Sequence, residues 1–354
     1  VNKRIPFLDN ARTFSVYAAL LASLCTLYAF PGTVMVPPLA HSGGLFLSDG
    51  LNRLSNWLYS FTPEVVFFIC GYCTAATLRI RSDAYFLRHK FIRLAGPCLI
   101  GGLIAAPEMS YLNYLSNGGT ASVISFFTSA LFYKYYTEGT YIFITAALTL
   151  SVFSLLIKKL RPKFFRQNKS SPTILFFVLI TMLHGVVSFL LFYIIYIFGK
   201  FIYPFDLFLI SGWTLYFFIG IYAFKRKWFV HDGYIPSRRW LYFFVIVSLL
   251  FLFTDIHYFM WNFSFLITTS GVFAVLSFFA AYRSKAAKVW RTASDHAYGA
   301  YFTCSFLFFN GAYFLKYLQV PTLVAIAVLL IPGGIYAYFL NTHILLRLPS
   351  FKRQ

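Results

Sequence analysis

Long apolar runs, separated by short polar and basic stretches, recur over almost the whole chain. A helix that crosses a bilayer needs about 20 predominantly apolar residues. Runs of that kind lie at 11–31, 56–79, 94–111, 139–157, 172–199, 204–224, 240–255, 263–282, 297–316 and 320–343. The pattern predicts an all-α polytopic membrane protein with ten transmembrane helices. The connection 111–138 holds one further apolar stretch, Ser122–Tyr133. At about a dozen residues it is too short to span and reads as an interfacial or re-entrant piece. The N-terminus does not read as a cleaved signal, because Asp9 and Arg12 interrupt the approach to the first run. That run, Thr13 to Phe30, has about 18 residues, long for a signal core and long enough to span.

Loop charge tests the helix count independently. With ten spans, 26 of the 30 Lys and Arg residues fall on one face of the membrane, leaving Arg53, Lys134, Lys200 and Lys316 on the other. Basic loops stay in the cytoplasm, so both termini are expected there. The longest loops, 32–55 and 111–138, then lie outside. The chain reads as a single transmembrane domain over 1–354, with no appended soluble domain and no visible internal repeat.

Composition excludes the other broad classes. The chain is 59% hydrophobic, 22% aromatic and only 11% charged, with a mean hydropathy of +0.71. That is too little charge for a soluble globule and too much apolar content for disorder. A net charge of +20 also occurs in nucleic-acid-binding proteins. Here it sits in short clusters between apolar runs, as membrane insertion requires, and no nucleic-acid partner is expected. Five cysteines lie within the apolar runs, and Cys70-x-x-Cys73 reads as a pair of ordinary thiols shielded from redox chemistry.

An ionisable residue inside a membrane is costly, so each one is a functional hypothesis. Asp9 and Arg12 stand three apart where the first helix begins, the spacing of an ion pair on one helix face. Glu64 falls about a third of the way along the second apolar run, where a carboxyl faces a wet cavity or stays protonated. His184 lies near the middle of the fifth run, as a hydrogen-bonded neutral imidazole or a proton relay. Glu108, Asp206, Asp255 and His257 lie near outer helix ends. Lys90 and Arg93, three apart, read either as an ordinary cytoplasmic basic cluster or as paired cations for a phosphate-rich ligand. Soluble-enzyme motifs are absent, and the seven histidines lack ligand spacing, so no metal is expected.

Four stretches together resemble the integral-membrane acyltransferase 3 family. Arg4-Ile-Pro-Phe-Leu8-Asp9-Asn-Ala-Arg12 is similar to its opening R-x-x-x-L-D-x-x-R. Phe67-Phe68-Ile-Cys70-Gly71-Tyr72 is similar to F-F-x-x-S-G-[FY], with Cys70 in the usual serine's place. Phe86 to Leu94 with Pro97 resembles F-x-x-x-R-x-x-R-[LI]-x-x-P, with Lys90 in place of the first arginine. Ser294-Asp295-His296-Ala-Tyr298-Gly-Ala-Tyr301 resembles the entry into the penultimate helix.

The resemblance implies a multi-pass protein of the inner membrane. It takes an acetyl or other acyl group from acyl-CoA, held by Arg12, Lys90 and Arg93, with Asp9 beside Arg12. The acceptor is a hydroxyl of an envelope polysaccharide, a lipid-linked glycan or a small molecule. One departure matters: the family's helix-one histidine, 14 residues after the opening Asp, is Ser23 here. A serine cannot act as a base near neutral pH, which leaves Glu64 and His184 as the deep catalytic candidates. The alternative is a catalytically inactive relative or a transporter-like protein of the same fold.

Overall fold

The computed structural model describes residues 5–29, 45–116, 118–136, 139–202, 207–254, 256–282 and 288–351. Every regular element among them is helical. In chain order these are α1 (Pro6–Ala29), α2 (Leu45–Tyr59), α3 (Thr62–Ile80), α4 (Asp83–Lys90), α5 (Gly96–Ile100), α6 (Ala106–Ser116), α7 (Val123–Thr128) and α8 (Ala130–Tyr135). They continue as α9 (Ile142–Leu160), α10 (Ile174–Ile202), α11 (Leu207–Lys225), α12 (Arg239–Phe253), α13 (Ile256–Tyr282), α14 (Lys288–Tyr317) and α15 (Thr322–His343). Among the described residues, most of each apolar run lies on helix.

Among the described residues, seven helices are long and apolar enough to cross a membrane, whereas α12 is apolar but has 15 residues. The protein is therefore an all-α, multi-pass membrane protein. The apolar stretch after residue 121 forms α7 and α8, six residues each, which agrees with its being too short to span.

Two boundaries differ from the hydrophobic pattern. The second apolar run does not start a helix at 56: a turn at Ser60–Phe61 separates α2 from α3. Pro63 lacks an N–H and belongs in a first helical turn, so α3 begins at Thr62 and Glu64 lies in its first turn. The third run is helical well before residue 94. Helix runs from Asp83 to Ser116 through two π turns, Phe91–Ala95 and Gly101–Ala105, that flank Pro97. Proline cannot donate to the carbonyl four residues back, that of Arg93. The Tyr298 hydroxyl donates to that carbonyl at 3.1 Å.

The chain forms two compact units, each assembled from separate segments. The first comprises 1–16, 59–90 and 146–294. Its centre is α3, buried almost all round, as a core helix must be. Helix α11 packs on α3 at backbone contact distance. A Cβ on Gly71 would lie 1.9 Å from the Phe217 carbonyl oxygen, and one on Gly220 would lie 1.9 Å from that of Phe68. Glycine pairs of this kind let membrane helices approach closely. On α10 the buried stripe is Ile180, His184 and Ser188, while Leu179, Leu183 and Val186 point outward. One end is closed by aromatic packing around Trp228, whose carbonyl accepts from the Tyr72 hydroxyl at 3.1 Å.

The second unit comprises 17–58, 91–145 and 295–354. Tyr141 packs flat on Gly101 and donates to the Phe302 carbonyl at 3.2 Å. Asn310 donates to Glu108 at 3.3 Å.

Candidate functional site

The charged end of the first unit gathers residues from three of the four motif stretches. The Arg12 guanidinium pairs with the Asp9 carboxylate at 3.4 Å and donates to the Ser294 hydroxyl, also at 3.4 Å. The first motif on α1 and the last motif on α14 thus meet although 282 residues separate them. Lys90 donates to Thr74 at 3.2 Å, just beyond the second motif, and its ammonium lies 5.7 Å from the centre of the Phe86 ring. Behind these, Lys158 ties α9 to α4 through Asp83 at 2.6 Å and to α3 through the Leu78 carbonyl at 2.7 Å.

Arg93 belongs to the second unit. The sequence spacing places Lys90 and Arg93 on one helix face. The α-turn ends at Lys90, however, and Arg93 sits inside the π turn that follows. A π turn takes more residues per revolution, so the three-residue spacing no longer gives a shared face.

The two deep candidates come together inside the first unit. Glu64 and His184 are each only 6% exposed. They reach Gly212 on α11 from different helices: a Cβ there would be 3.0 Å from Glu64 Oε1 and 3.3 Å from His184 Nε2. Their remaining side-chain polar atoms, Glu64 Oε2 and His184 Nδ1, are buried without a hydrogen-bond partner. The Tyr216 ring stands edge-on to the imidazole at 5.7 Å, and its hydroxyl shares a 2.8 Å hydrogen bond with Thr269. Gly212 and Tyr216 escaped sequence reading. The signal was there in a glycine within an apolar run, the usual mark of a close helix contact.

Ser23, in the family histidine's place, donates to the Ala19 carbonyl at 3.0 Å, one turn back along its own helix. Cys70 and Cys73 are free thiols, Cys70 half-buried and Cys73 on the protein surface of a helix long and apolar enough to cross a membrane. In the second unit, Tyr17, His296, Tyr338 and Asn341 help to line a largely apolar cavity of about 220 Å³. Asn341 Nδ2 donates to His296 Nδ1 at 3.1 Å and to the His296 carbonyl at 2.9 Å. Accepting at Nδ1 leaves the imidazole proton on Nε2. Arg4, Glu138, Asp206, Asp255 and residues 283–287 and 352–354 lie outside the described residues, as does the side chain of His257. Among the described residues no three His, Cys, Asp or Glu side chains group as metal ligands would.

Compared with protein families, curated proteins and solved structures, the chain matches none.

Proposed function

We propose that this protein is a membrane acyltransferase that takes an acyl group from acyl-CoA at its basic face and passes it to a hydroxyl of an envelope glycan or small acceptor. The observation that carries the reading is the convergence of the motif residues. Arg12 of the first motif holds Ser294 of the fourth. Lys90 of the third motif holds Thr74, two residues past the second. Arg93 of the third motif takes a hydrogen bond from Tyr298 of the fourth through its carbonyl. Chance matches scattered over 300 residues have no reason to meet in this way.

In this reading Arg12 and Lys90 hold the phosphates of the donor. Asp9 fixes the guanidinium of Arg12 in place. Glu64 and His184 supply acid–base chemistry in place of the absent helix-one imidazole. The reading includes ten spans, both termini in the cytoplasm and a place in the inner membrane.

The test is acetyl-CoA binding and release of free thiol by the purified protein in liposomes, compared with Arg12→Ala/Lys90→Ala. Specific binding that the double variant loses supports the donor site, and thiol release above background supports transfer chemistry. Absence of binding overturns the reading in favour of a transporter-like protein. That second reading draws on Glu64 and His184, two buried titratable groups on helices long and apolar enough to cross a membrane.

A further inference from the structure

We propose that Glu64 and His184 form a buried proton-carrying pair within the first unit, built on the bare face that Gly212 leaves on α11. Both residues converge on one point, where a Cβ would stand 3.0 Å from Glu64 Oε1 and 3.3 Å from His184 Nε2. Any other residue at 212 would push a side chain between them. Each partner also carries a buried polar atom, Oε2 and Nδ1, that no protein group satisfies. Leaving such atoms orphaned costs about 1–3 kcal/mol each, and here one falls on each of two titratable side chains that converge on the same glycine.

The charge balance of the pair follows from its surroundings. Among the described residues neither group makes an ion pair. From α11 the facing titratable group is Tyr216, whose hydroxyl is already engaged with Thr269. From α13 the Thr269 hydroxyl, which carries no charge, is the group that engages Tyr216. An unpaired ion in such a place costs several kcal/mol, so over the middle of the pH range the favoured states of the pair are those of zero net charge, and the pair gives up its proton only at high pH. These are carboxylic acid with neutral imidazole, and carboxylate with imidazolium. They interconvert by moving one proton: an O–H bond of Glu64 breaks and an N–H bond of His184 forms.

Acyl transfer to a hydroxyl releases one proton from the acceptor and places one on the sulfur of CoA. A membrane-embedded pair that passes single protons suits that need. Its use in acyl transfer rests on the proposed function, whereas the shared proton belongs to the pair itself.

The experiment is infrared spectroscopy of the protein in lipid vesicles across a pH titration, with no acyl-CoA present. A protonated-carboxyl band that disappears in Glu64→Gln is expected. In His184→Phe the midpoint of that band is expected to move by about one pH unit or more, the coupling that defines an interacting pair. Replacing Na⁺ by K⁺ or choline leaves it unmoved. No Glu64-dependent band overturns the proposal, and so does a midpoint that ignores His184→Phe. A midpoint that follows Na⁺ or K⁺ also overturns it, because the pair then holds a metal cation. If His184→Phe does not fold, Gly212→Ala carries the test with the same criterion, since it wedges a methyl group between two intact partners. Failure here leaves acetyl-CoA binding to Arg12 and Lys90 untouched, so the two proposals fail separately.

Discussion

Gly71→Ala is expected to be among the most damaging single-methyl changes this protein can suffer. The added Cβ would lie 1.9 Å from the Phe217 carbonyl oxygen and 2.8 Å from its carbon, both backbone atoms of α11. Real Cβ contacts stay beyond 3.0 Å, so the two helices must part by about 1 Å at that point. No rotamer change relieves the clash, because the obstacle is main chain. A gap of about 0.5–1 Å forfeits a quarter to a half of the dispersion energy of every atom pair it opens. Overpacking costs about 1–3 kcal/mol where side chains give way. Here the upper end applies, about 3 kcal/mol, or on the order of 4 °C in melting temperature for a chain of this length.

Gly220→Ala meets the Phe68 carbonyl oxygen at the same 1.9 Å, so it should cost as much. One separation of α3 from α11 relieves both clashes. The double variant should therefore lose clearly less than the sum of the singles, the signature of a shared structural adjustment. Gly50→Ala, with nothing within 4 Å in α2, is the control and should be neutral or gain about 0.5–1 kcal/mol. Thermal unfolding of the detergent-purified proteins, followed by helical circular dichroism, measures all four. Wild-type stability in Gly71→Ala, or strict additivity in the double variant, would refute the close-packing argument. The same result bears on the site, since parting the helices draws Glu64 away from Gly212.

Two further outcomes are expected. Tyr298→Phe removes the hydroxyl that donates to the Arg93 carbonyl, beside the proline that cannot; it should cost about 1 kcal/mol, and an unchanged melting temperature would count against that role. Lys227 holds φ at +57° in the loop after α11, so Lys227→Gly should stabilise the protein by up to about 1 kcal/mol in the same melts, and a loss of stability would mean its side chain matters more than the strain.

Hydrophobic periodicity and length determined the helical, membrane-spanning character of this protein, because a bilayer leaves the backbone little other choice. Among the described residues most of each run is helical, and the short stretch after 121 forms two helices of six residues, too short to span. Local chemistry in the sequence also held the Asp9–Arg12 pair, since three residues on a helix is a fixed distance. It did not hold the break before α3 or the π turns around Pro97. Those depend on where a proline's missing N–H can be tolerated by its neighbours, here α14 through Tyr298.

The site was legible only as separate residues. Glu64 and His184 stood out because ionisable groups in apolar runs are rare, yet they stand 120 positions apart in the chain. Their meeting depends on Gly71, Gly220 and Gly212, three glycines that let α11 lie against α3 and leave room for two side chains at one point. A sequence records that a glycine is small. Only the packed helices decide which backbone or side chain occupies the space it leaves.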